Sequence, residues 1–240
     1  MKKKVVLTGA GGQLGKHFLY KLAESGFQVY AADIEAIQQE EDNKSIIRFK
    51  LDITDQIAVS HFYQSIGADL YAVINNAGIG VFTPFESRTL QEFRKVMDVN
   101  AFGTFNMCQG AVRIMKRQKY GKIINIASMY GSISSDPRIY GQSGRNNSEV
   151  YSMSKAAVIQ LSKYLAANYA RYNIQVNSIS PGGIYNGQTD DFVSAYITRN
   201  PSGKMGKPND VYSVIDFLLK EGSSYLTGQD LIVDGGHTVW

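Results

Sequence analysis

Cysteine is almost absent from this chain of 240 residues, which contains only Cys108. A lone cysteine cannot close an internal disulfide, so nothing points to an oxidising compartment, and we expect Cys108 to lie in the core. Histidine is nearly as scarce. His17, His61 and His237 stand far apart, with no cysteine or carboxylate at the spacing of metal ligands. The sequence therefore predicts no metal site and places the three histidines at the surface.

Long apolar runs are also missing. No stretch of about 18 consecutive apolar residues occurs, so the sequence predicts no membrane span. The basic start at residues 1–4 resembles the beginning of a signal peptide. However, only residues 5–7 are apolar before Thr8 and Gly9 interrupt the run. We therefore expect no secretion signal and a cytoplasmic protein.

Neither sign of charge dominates the sequence. The 25 basic and 21 acidic residues alternate along the chain and give a net charge of +4, too little to predict binding to nucleic acid. No repeat or proline-rich linker divides the chain, and 240 residues suffice to bury one core. The sequence predicts a single domain over residues 1–240.

Short, β-branched apolar runs alternate with segments of helical periodicity. The runs predict strands at 5–7, 28–32, 46–49, 70–74, 122–126, 174–179 and 231–233. The periodic segments predict helices at 13–25, 55–66, 89–119 (as two helices), 149–172 and 209–220. This alternation predicts an α/β fold, a Rossmann-like, doubly wound parallel sheet of about seven strands with helices on both faces. Residues 128–148 and 181–208 are predicted as long loops, which are often functional.

A glycine-rich segment at residues 8–15 follows the first predicted strand and opens the first predicted helix. Glycines allow a tight turn and the close approach of a pyrophosphate, whose charge meets free N–H groups at a helix N-terminus. The strand–turn–helix context favours a dinucleotide-binding turn over an ordinary glycine-rich turn. The residues expected to contact the cofactor here are Gly9, Gly12, Gln13, Leu14 and Gly15.

Asp33 stands at the end of the second predicted strand. A carboxylate there can accept hydrogen bonds from both hydroxyl groups of the adenosine ribose and would repel a 2′-phosphate. The alternative is that Asp33 caps a following helix. The first interpretation favours NAD(H) over NADP(H).

Five further segments resemble, in sequence and in order, the motifs of the short-chain dehydrogenase/reductase family. They are Leu-Asp-Ile at 51–53, Asn-Asn-Ala-Gly at 75–78, Asn100, Ser128 with Tyr-Ser-Met-Ser-Lys at 151–155, and Pro-Gly-Gly at 181–183. The resemblance implies a homodimer or homotetramer. It also implies cofactor contacts by Asp52, Ile53, Asn75, Ala77, Gly78, Tyr151, Lys155, Pro181, Gly182 and Ile184.

Two positions depart from the pattern of this family. Gln13 occupies the middle glycine position of the usual turn, whereas Gly12 gives the glycine spacing of the family's longer members. Asn186 stands where many relatives have a threonine near the nicotinamide amide. More narrowly, residues 180–188 and 234–236 and the terminal Trp240 are similar to oxidoreductases of bacterial surface-sugar pathways, the flagellin modification protein A type.

The residues themselves provide acid/base chemistry. Reduction of a carbonyl needs a hydride carrier and a proton donor beside the substrate oxygen, and a tyrosine can be that donor. Tyr151 and Lys155 lie on one helical face at i, i+4, so the ammonium is expected to lower the pKa of the phenol. Ser128 can hydrogen-bond the substrate oxygen. The sequence thus predicts the interconversion of a ketone and a secondary alcohol.

The resemblance assigns two further roles in this chemistry. It implies that Lys155 also contacts the nicotinamide ribose and that Asn100 holds a water linking Lys155 to solvent. Two other functions stay open. One is a non-catalytic NAD-binding protein, and the other is a nucleotide-sugar epimerase or dehydratase, which the glycine spacing suggests.

A polar insertion at residues 134–147 widens the separation between Ser128 and Tyr151. Its ends are tied to catalytic residues, so we expect it near the mouth of the site. Hydroxyl and amide groups suit a sugar, and arginine can hold a phosphate or carboxylate. The sequence therefore predicts a polar, anionic sugar derivative as substrate, although a solvated surface loop is the alternative. The predicted substrate contacts are Arg138, Arg145, Tyr185 and Asn186.

Overall fold

Seven strands form one parallel sheet in the computed structural model, which describes residues 2–38, 43–141 and 146–239. The strands are β1 Lys4–Thr8, β2 Gln28–Asp33, β3 Ile46–Lys50, β4 Leu70–Asn75, β5 Gly121–Ile126, β6 Ile174–Pro181 and β7 Asp230–Val233. Their order across the sheet is β3-β2-β1-β4-β5-β6-β7. Every residue of β4 and β5 is buried, as expected for central strands covered on both faces. The predicted doubly wound sheet is confirmed.

Seven α-helices occur in the described ranges and cover the two faces of the sheet. They are α1 Gln13–Glu24, α2 Gln56–Ile66, α3 Leu90–Met97, α4 Thr104–Gln118, α5 Glu149–Tyr169, α6 Asp190–Thr198 and α7 Pro208–Leu219. Side chains of α1 and α7 pack with Leu7 and Ile179 on one face. Side chains of α2, α4 and α5 pack with Val73 and Val176 on the other. Cys108 is buried in this second layer, as predicted.

Side chains that cap helix N-termini explain where α2, α3 and α5 begin. The carboxylate of Asp55 accepts hydrogen bonds from two backbone N–H groups of α2. Thr89 and Glu92 form a capping box at α3. The hydroxyl of Ser148 accepts from the N–H of Tyr151 at 3.3 Å, which fixes the first turn of α5 and therefore its catalytic face.

The predicted loop at 181–208 is wrong in part, because α6 lies within it. The sequence signal is weak, since α6 has nine residues and a single fully buried side chain, that of Tyr196. The segment 128–148 also contains short 3₁₀ turns, Met129–Gly131 and Pro137–Tyr140. Tertiary packing against each other, rather than local periodicity, gives these pieces their structure.

The predicted helix pair at 89–119 is confirmed, with a special junction. A π-helical turn, Asp98–Gly103, joins α3 to α4 and contains Asn100. Such turns are rare and are frequent at functional sites. Gly103 is the last residue of this turn. A larger residue would not fit there, because its Cβ would lie 2.6 Å from the side chain of Ile53.

The turn after β1 and the loop after β4 lie side by side, where the direction of the strand order reverses. The hydroxyl of Thr8 accepts hydrogen bonds from the N–H groups of Asn76 and Ala77, each at 3.1 Å. The Asn76 amide in turn donates to the carbonyls of Thr8 and Gly9. This crevice is where open α/β sheets bind ligands.

Membrane spans and metal clusters are both absent from residues 2–38, 43–141 and 146–239. No helix there is both long and apolar enough to cross a membrane. No group of three or more histidine, cysteine or acidic side chains in the same ranges could hold a metal ion.

We predict that Gly15→Ala destabilises the fold, because its Cβ would lie 1.9 Å from the carbonyl oxygen of Gly9. The helix would have to move away from the turn, so the free energy of unfolding should fall by about 2 kcal/mol. Gly222→Ala is the matched control, since a Cβ there meets nothing within 4 Å. Urea unfolding followed by circular dichroism measures both, and equal stabilities would contradict the prediction.

Candidate active site

The glycine-rich turn leaves the N-terminus of α1 open to an anion. Gly9 turns the chain with a φ of +64°, and Gly12 precedes the helix without a side-chain cap. No acidic residue occupies the first turn of α1. The first N–H groups of the helix and the positive end of its dipole therefore suit the pyrophosphate of a dinucleotide. Leu14 is partly buried and packs on the core beneath.

Gln13 contacts another part of the protein. Its side-chain amide donates a hydrogen bond of 2.6 Å to the backbone carbonyl of Tyr185, in the loop after β6. The departure from the usual glycine thus links the phosphate-binding turn to the loop that was predicted to contact the substrate.

Asp33 lies at the carboxyl end of β2, beside the same turn. Its carboxylate accepts hydrogen bonds from the N–H of Gly11 at 2.8 Å and from the N–H of Glu35 at 3.2 Å. Residues 34–38, which the structure describes, contain no helix for it to cap. The carboxylate oxygens retain further lone pairs with which to accept from ribose hydroxyls.

Asp52 and Ile53 differ in what they offer an adenine ring. Asp52 is exposed beyond β3, and its carboxylate accepts from the N–H and the hydroxyl of Thr54. The side chain of Ile53 is buried in the core, and its carbonyl accepts from Asn106 at 3.0 Å. The cofactor contact that the resemblance implies for Ile53 is therefore left to its backbone and stays a prediction.

The side chain of Asn75, a predicted cofactor contact, points into the core, so only its backbone is left for that role. Its side chain is 3% exposed and donates to Asn125 at 2.7 Å and to the Cys108 sulfur at 3.3 Å. It therefore joins β4 to β5 and α4. Sequence reasoning missed the neighbouring Asn76, whose side-chain amide hydrogen-bonds the phosphate-binding turn. The pair of consecutive asparagines was the sequence signal for this role.

Ala77 and Gly78, two predicted cofactor contacts, lie between the phosphate-binding turn and Lys155. A Cβ on Gly9 would come within 2.7 Å of the Cα of Ala77, so turn and loop are in close contact. A Cβ on Gly78 would lie 3.3 Å from the Lys155 ammonium and 3.4 Å from the Asn100 side-chain oxygen. The glycine keeps open the space beside these two groups.

The structure brings Ser128, Tyr151 and Lys155 together beside this groove. Ser128 follows β5 and lies near enough to the Tyr151 phenol to lower its pKa. The Lys155 nitrogen lies 5.7 Å from the centre of the Tyr151 ring and donates to the carbonyl of Ile126 at 2.8 Å. The i, i+4 spacing on α5 accounts for this juxtaposition.

Burial is the main influence on both titratable groups of this site. It raises the pKa of the Tyr151 phenol, while Ser128 acts in the opposite direction. Burial also lowers the pKa of Lys155 to about 8. The net direction for Tyr151 is therefore opposite to that expected from the lysine alone.

Asn100 fastens α5 to the loop after β4. Its side-chain oxygen accepts from the N–H of Ile79 at 2.8 Å, and its amide donates to the Ile79 carbonyl and to the Ser154 hydroxyl, each at 2.9 Å. Ser154 in turn donates to the carbonyl of Tyr151. The relay through a water held by Asn100 stays a prediction.

The end of β6 closes the other side of the site. Pro181 is buried, and a Cβ on Gly182 would lie 2.8 Å from the Cα of Asp234. Ile184 is partly buried against the layer formed by α1 and α7. The N–H of Gly183 donates to the Tyr196 hydroxyl of α6 at 2.7 Å, so α6 supports this loop.

The predicted substrate residues differ in their surroundings. Arg138 is exposed, and its guanidinium donates through two nitrogens to the Asp136 carboxylate. It would have to leave this partner to bind a substrate anion. Tyr185 and Asn186 are exposed in the loop after β6. Arg145 lies outside the described residues.

An aromatic cluster beside Ser128 was missed. Tyr130 follows the serine, Tyr140 belongs to the insertion, and Phe192 and Tyr196 belong to α6. The sequence signal for this cluster was the number of aromatic residues in the two predicted loops.

His237 was predicted at the surface, but it is buried against the ring of Tyr196, 5.0 Å between centres. The turn at residues 235–236, with positive φ at both glycines, brings it there.

Known proteins are similar to this chain over nearly its whole length. The family model described as enoyl-(acyl carrier protein) reductase matches residues 9–238. A 3-oxoacyl-(acyl-carrier-protein) reductase of Thermotoga maritima is 31% identical over 98% of this chain and 97% of its own. An NADH-dependent L-xylulose reductase of Ambrosiozyma monospora is 30% identical over 98% and 94% of the two chains.

A solved structure shows the same likeness. The short chain dehydrogenase of Leptospira borgpetersenii serovar Hardjo-bovis with bound NAD⁺ is 39% identical, covers 99% of this chain and 93% of that one, and superimposes with a TM-score of 0.94. The chain therefore belongs to the short-chain dehydrogenase/reductase family, whose members are NAD(P)-dependent oxidoreductases acting on CH–OH groups.

Proposed function

We propose that this chain is an NAD(H)-dependent oxidoreductase that interconverts a ketone and a secondary alcohol on a polar, sugar-like substrate. The observation that carries the proposal is the assembly of Ser128, Tyr151 and Lys155 beside the open N-terminus of α1. The resemblance to the family also implies a homodimer or homotetramer, which stays a prediction.

The cofactor groove fits a dinucleotide. The N–H groups at the start of α1 would hold the pyrophosphate, Asp33 the adenosine ribose, and Lys155 the nicotinamide ribose. When bound, the nicotinamide supplies hydride chemistry at the substrate carbon. Gly78 leaves room for the cofactor beside Lys155.

The protein residues handle the proton and the substrate oxygen. In reduction, Tyr151 donates a proton to the carbonyl oxygen, and Ser128 donates a hydrogen bond to that same oxygen. Burial raises the pKa of the phenol, so it is protonated at neutral pH but is a weak acid, and the transfer needs stabilisation of the phenolate that it leaves. Lys155, on the same face of α5, offsets the charge that remains on Tyr151 after the transfer.

Asp33 supports a preference for NAD(H), because its carboxylate would repel a 2′-phosphate. Two of the relatives fit that preference. The xylulose reductase is named as NADH-dependent, and the Leptospira structure holds NAD⁺.

Several observations support a sugar-like substrate of a surface-glycan pathway. One relative is named as a reductase of L-xylulose, a ketose. In this chain, the exposed Tyr185 and Asn186 of the loop after β6 offer polar groups to a substrate. The local similarity to surface-sugar oxidoreductases at residues 180–188 favours the pathway. The guanidinium of Arg138 is paired with Asp136. We therefore propose that the part of the substrate near the reacting carbon is uncharged and does not depend on this arginine.

A second candidate is the reduction of a 3-oxoacyl thioester, because one of the similar proteins carries that name. The two candidate functions are compared by measuring the rate of NADH consumption with three kinds of substrate. These are ketoses, ketones derived from aldoses, and an acetoacetyl thioester. Higher kcat/KM for the thioester would contradict the sugar proposal. Conversion of a nucleotide sugar without net change in NADH would instead indicate an epimerase or dehydratase.

We predict that Tyr151→Phe lowers turnover by at least about 10²-fold, because it removes the proton donor and little else. NADH binding should stay within a few-fold of wild type, since the ring and the groove are retained. Stopped-flow reduction and fluorescence titration with NADH measure the two effects. Turnover by Tyr151→Phe at the wild-type rate would contradict the proposed mechanism.

Reduction should depend on pH through Lys155, whose pKa is lowered to about 8 by burial. The ammonium is charged below that pH and is lost as the pH rises through it, so kcat/KM for the ketone should fall above about 8. Lys155→Arg should move this decline to higher pH because a guanidinium stays charged. Lys155→Ala should weaken both rate and NADH binding at every pH. An unchanged decline in the arginine variant would refute this assignment.

Asp33→Ala should narrow the preference for NADH over NADPH by removing the repulsive carboxylate. Glu35→Ala is the matched control, because that exposed acid is two residues away and contributes only its backbone N–H to Asp33. The ratio of kcat/KM for the two cofactors is the measurement. A wild-type enzyme that prefers NADPH would show that Asp33 does not select the cofactor.

A further inference from the structure

The loop after β4, residues 79–89, is fixed beside the catalytic helix at both of its ends. At its start, the backbone N–H and carbonyl of Ile79 both hydrogen-bond the side chain of Asn100. At its end, the side chain of Arg88 is only 6% exposed, and its Nε lies 3.2 Å from a carboxylate oxygen of Glu149 in the first turn of α5. The loop therefore has a defined position next to the helix that carries Tyr151.

Arg88 also fixes the middle of this loop. Its guanidinium donates to the hydroxyl of Thr83 at 2.5 Å and to the Thr83 carbonyl at 2.6 Å. The Thr83 hydroxyl in turn donates to the carboxylate of Glu92 in α3, and this hydrogen bond lowers the pKa of Glu92. The backbone around Thr83 is therefore set before a ligand binds, and a side chain next to it is preorganised for contact.

Phe82, the residue before Thr83, lies beside the ring of Tyr151. A Cβ on Gly80 would be 3.7 Å from Cδ2 of the Tyr151 ring and 4.0 Å from Cζ of Phe82. Both rings are thus within contact range of one point, which the glycine leaves open. Phe82 is 44% exposed although its loop is fixed. An apolar ring that is partly open to solvent therefore stands next to the proposed proton donor.

An aromatic ring in this position suits a particular part of a polar substrate. The face of the ring is apolar and carries partial negative charge. The carbon-bound hydrogens of a sugar ring are apolar and slightly positive, and they share a face from which many of the hydroxyl groups point away. Such a face can pack on Phe82 and leave the hydroxyl groups to other partners. An open-chain ketose has no rigid face of this kind.

We propose that Phe82 determines specificity by packing against the C–H face of a substrate ring that contains the reacting carbon. The substrate class is then a cyclic keto sugar and the corresponding ring alcohol rather than an open-chain ketose. This inference rests on the proposed ketone–alcohol chemistry and narrows its substrate. It assigns the discrimination to a residue outside the motifs at 75–78 and 151–155.

The test compares two polar ketones with NADH and the full-length enzyme. In 2-keto-myo-inositol the carbonyl belongs to a six-membered ring, whereas erythrulose is an open chain. The wild type should have the higher kcat/KM for the ring ketone. Phe82→Ala should lower the ratio of the two values by at least about tenfold, mainly through KM for the ring ketone, because the apolar contact is lost.

Two further variants make the result specific to the aromatic face. Phe82→Tyr retains that face and should keep the ratio within about twofold of wild type. Phe217→Ala is the matched control, because that phenylalanine is 47% exposed and lies near the C-terminal end of α7. It should leave the ratio unchanged.

The outcomes separate this inference from the proposed function. If Phe82→Ala keeps the wild-type ratio while both ketones are reduced, or if the wild type prefers erythrulose, the assignment to Phe82 is wrong and the ketone reductase stands. If the wild type reduces acetoacetyl thioester but neither ketone, the proposed substrate and this inference both fail.

The variants give two more ways to overturn the assignment. A tenfold loss in Phe82→Tyr or in Phe217→Ala would show that the ratio does not report on the aromatic face of Phe82. A smaller particle mass of Phe82→Ala by light scattering would show that a second copy of the chain, rather than the substrate, covers the ring.

Discussion

The contact between the turn after β1 and the loop after β4 is the constraint on which the site depends. Thr8 and Asn76 exchange hydrogen bonds across it, and Gly9 lies so close to Ala77 that no side chain fits. This contact sets the height of the phosphate-binding turn above the sheet. Since Gly78 continues from the same loop to Lys155, it also sets the distance between the two ends of the cofactor groove.

Buried amides carry that geometry from the sheet to the catalytic helix. Asn125 of β5 joins Asn75 to the Ser162 hydroxyl of α5, and Asn100 joins the loop after β4 to Ser154, about two turns earlier on α5. Each of these hydrogen bonds is shielded from water, so breaking it leaves a polar group without a partner. The helix that bears the acid/base pair is therefore fixed in rotation as well as in position.

The sequence predicted the sheet well because buried parallel strands are apolar on both faces and stand out from amphipathic helices. The motif order likewise located Ser128 and Tyr151 beside each other. It could not show α6, whose nine residues owe their structure to packing against the insertion. Nor could spacing reveal that Asn75 turns into the core or that Arg138 meets Asp136, because both depend on side-chain direction.

The hydrogen bond from Gln13 to the Tyr185 carbonyl has a consequence for protein engineering. In a modular site, the cofactor turn could be exchanged with that of a relative and the substrate loop left as it was. Here the turn's own side chain fastens the loop, so a grafted glycine at position 13 releases the backbone around Tyr185. Cofactor engineering and substrate engineering are thus one design problem in this protein, and residues 13 and 185 need to be chosen together.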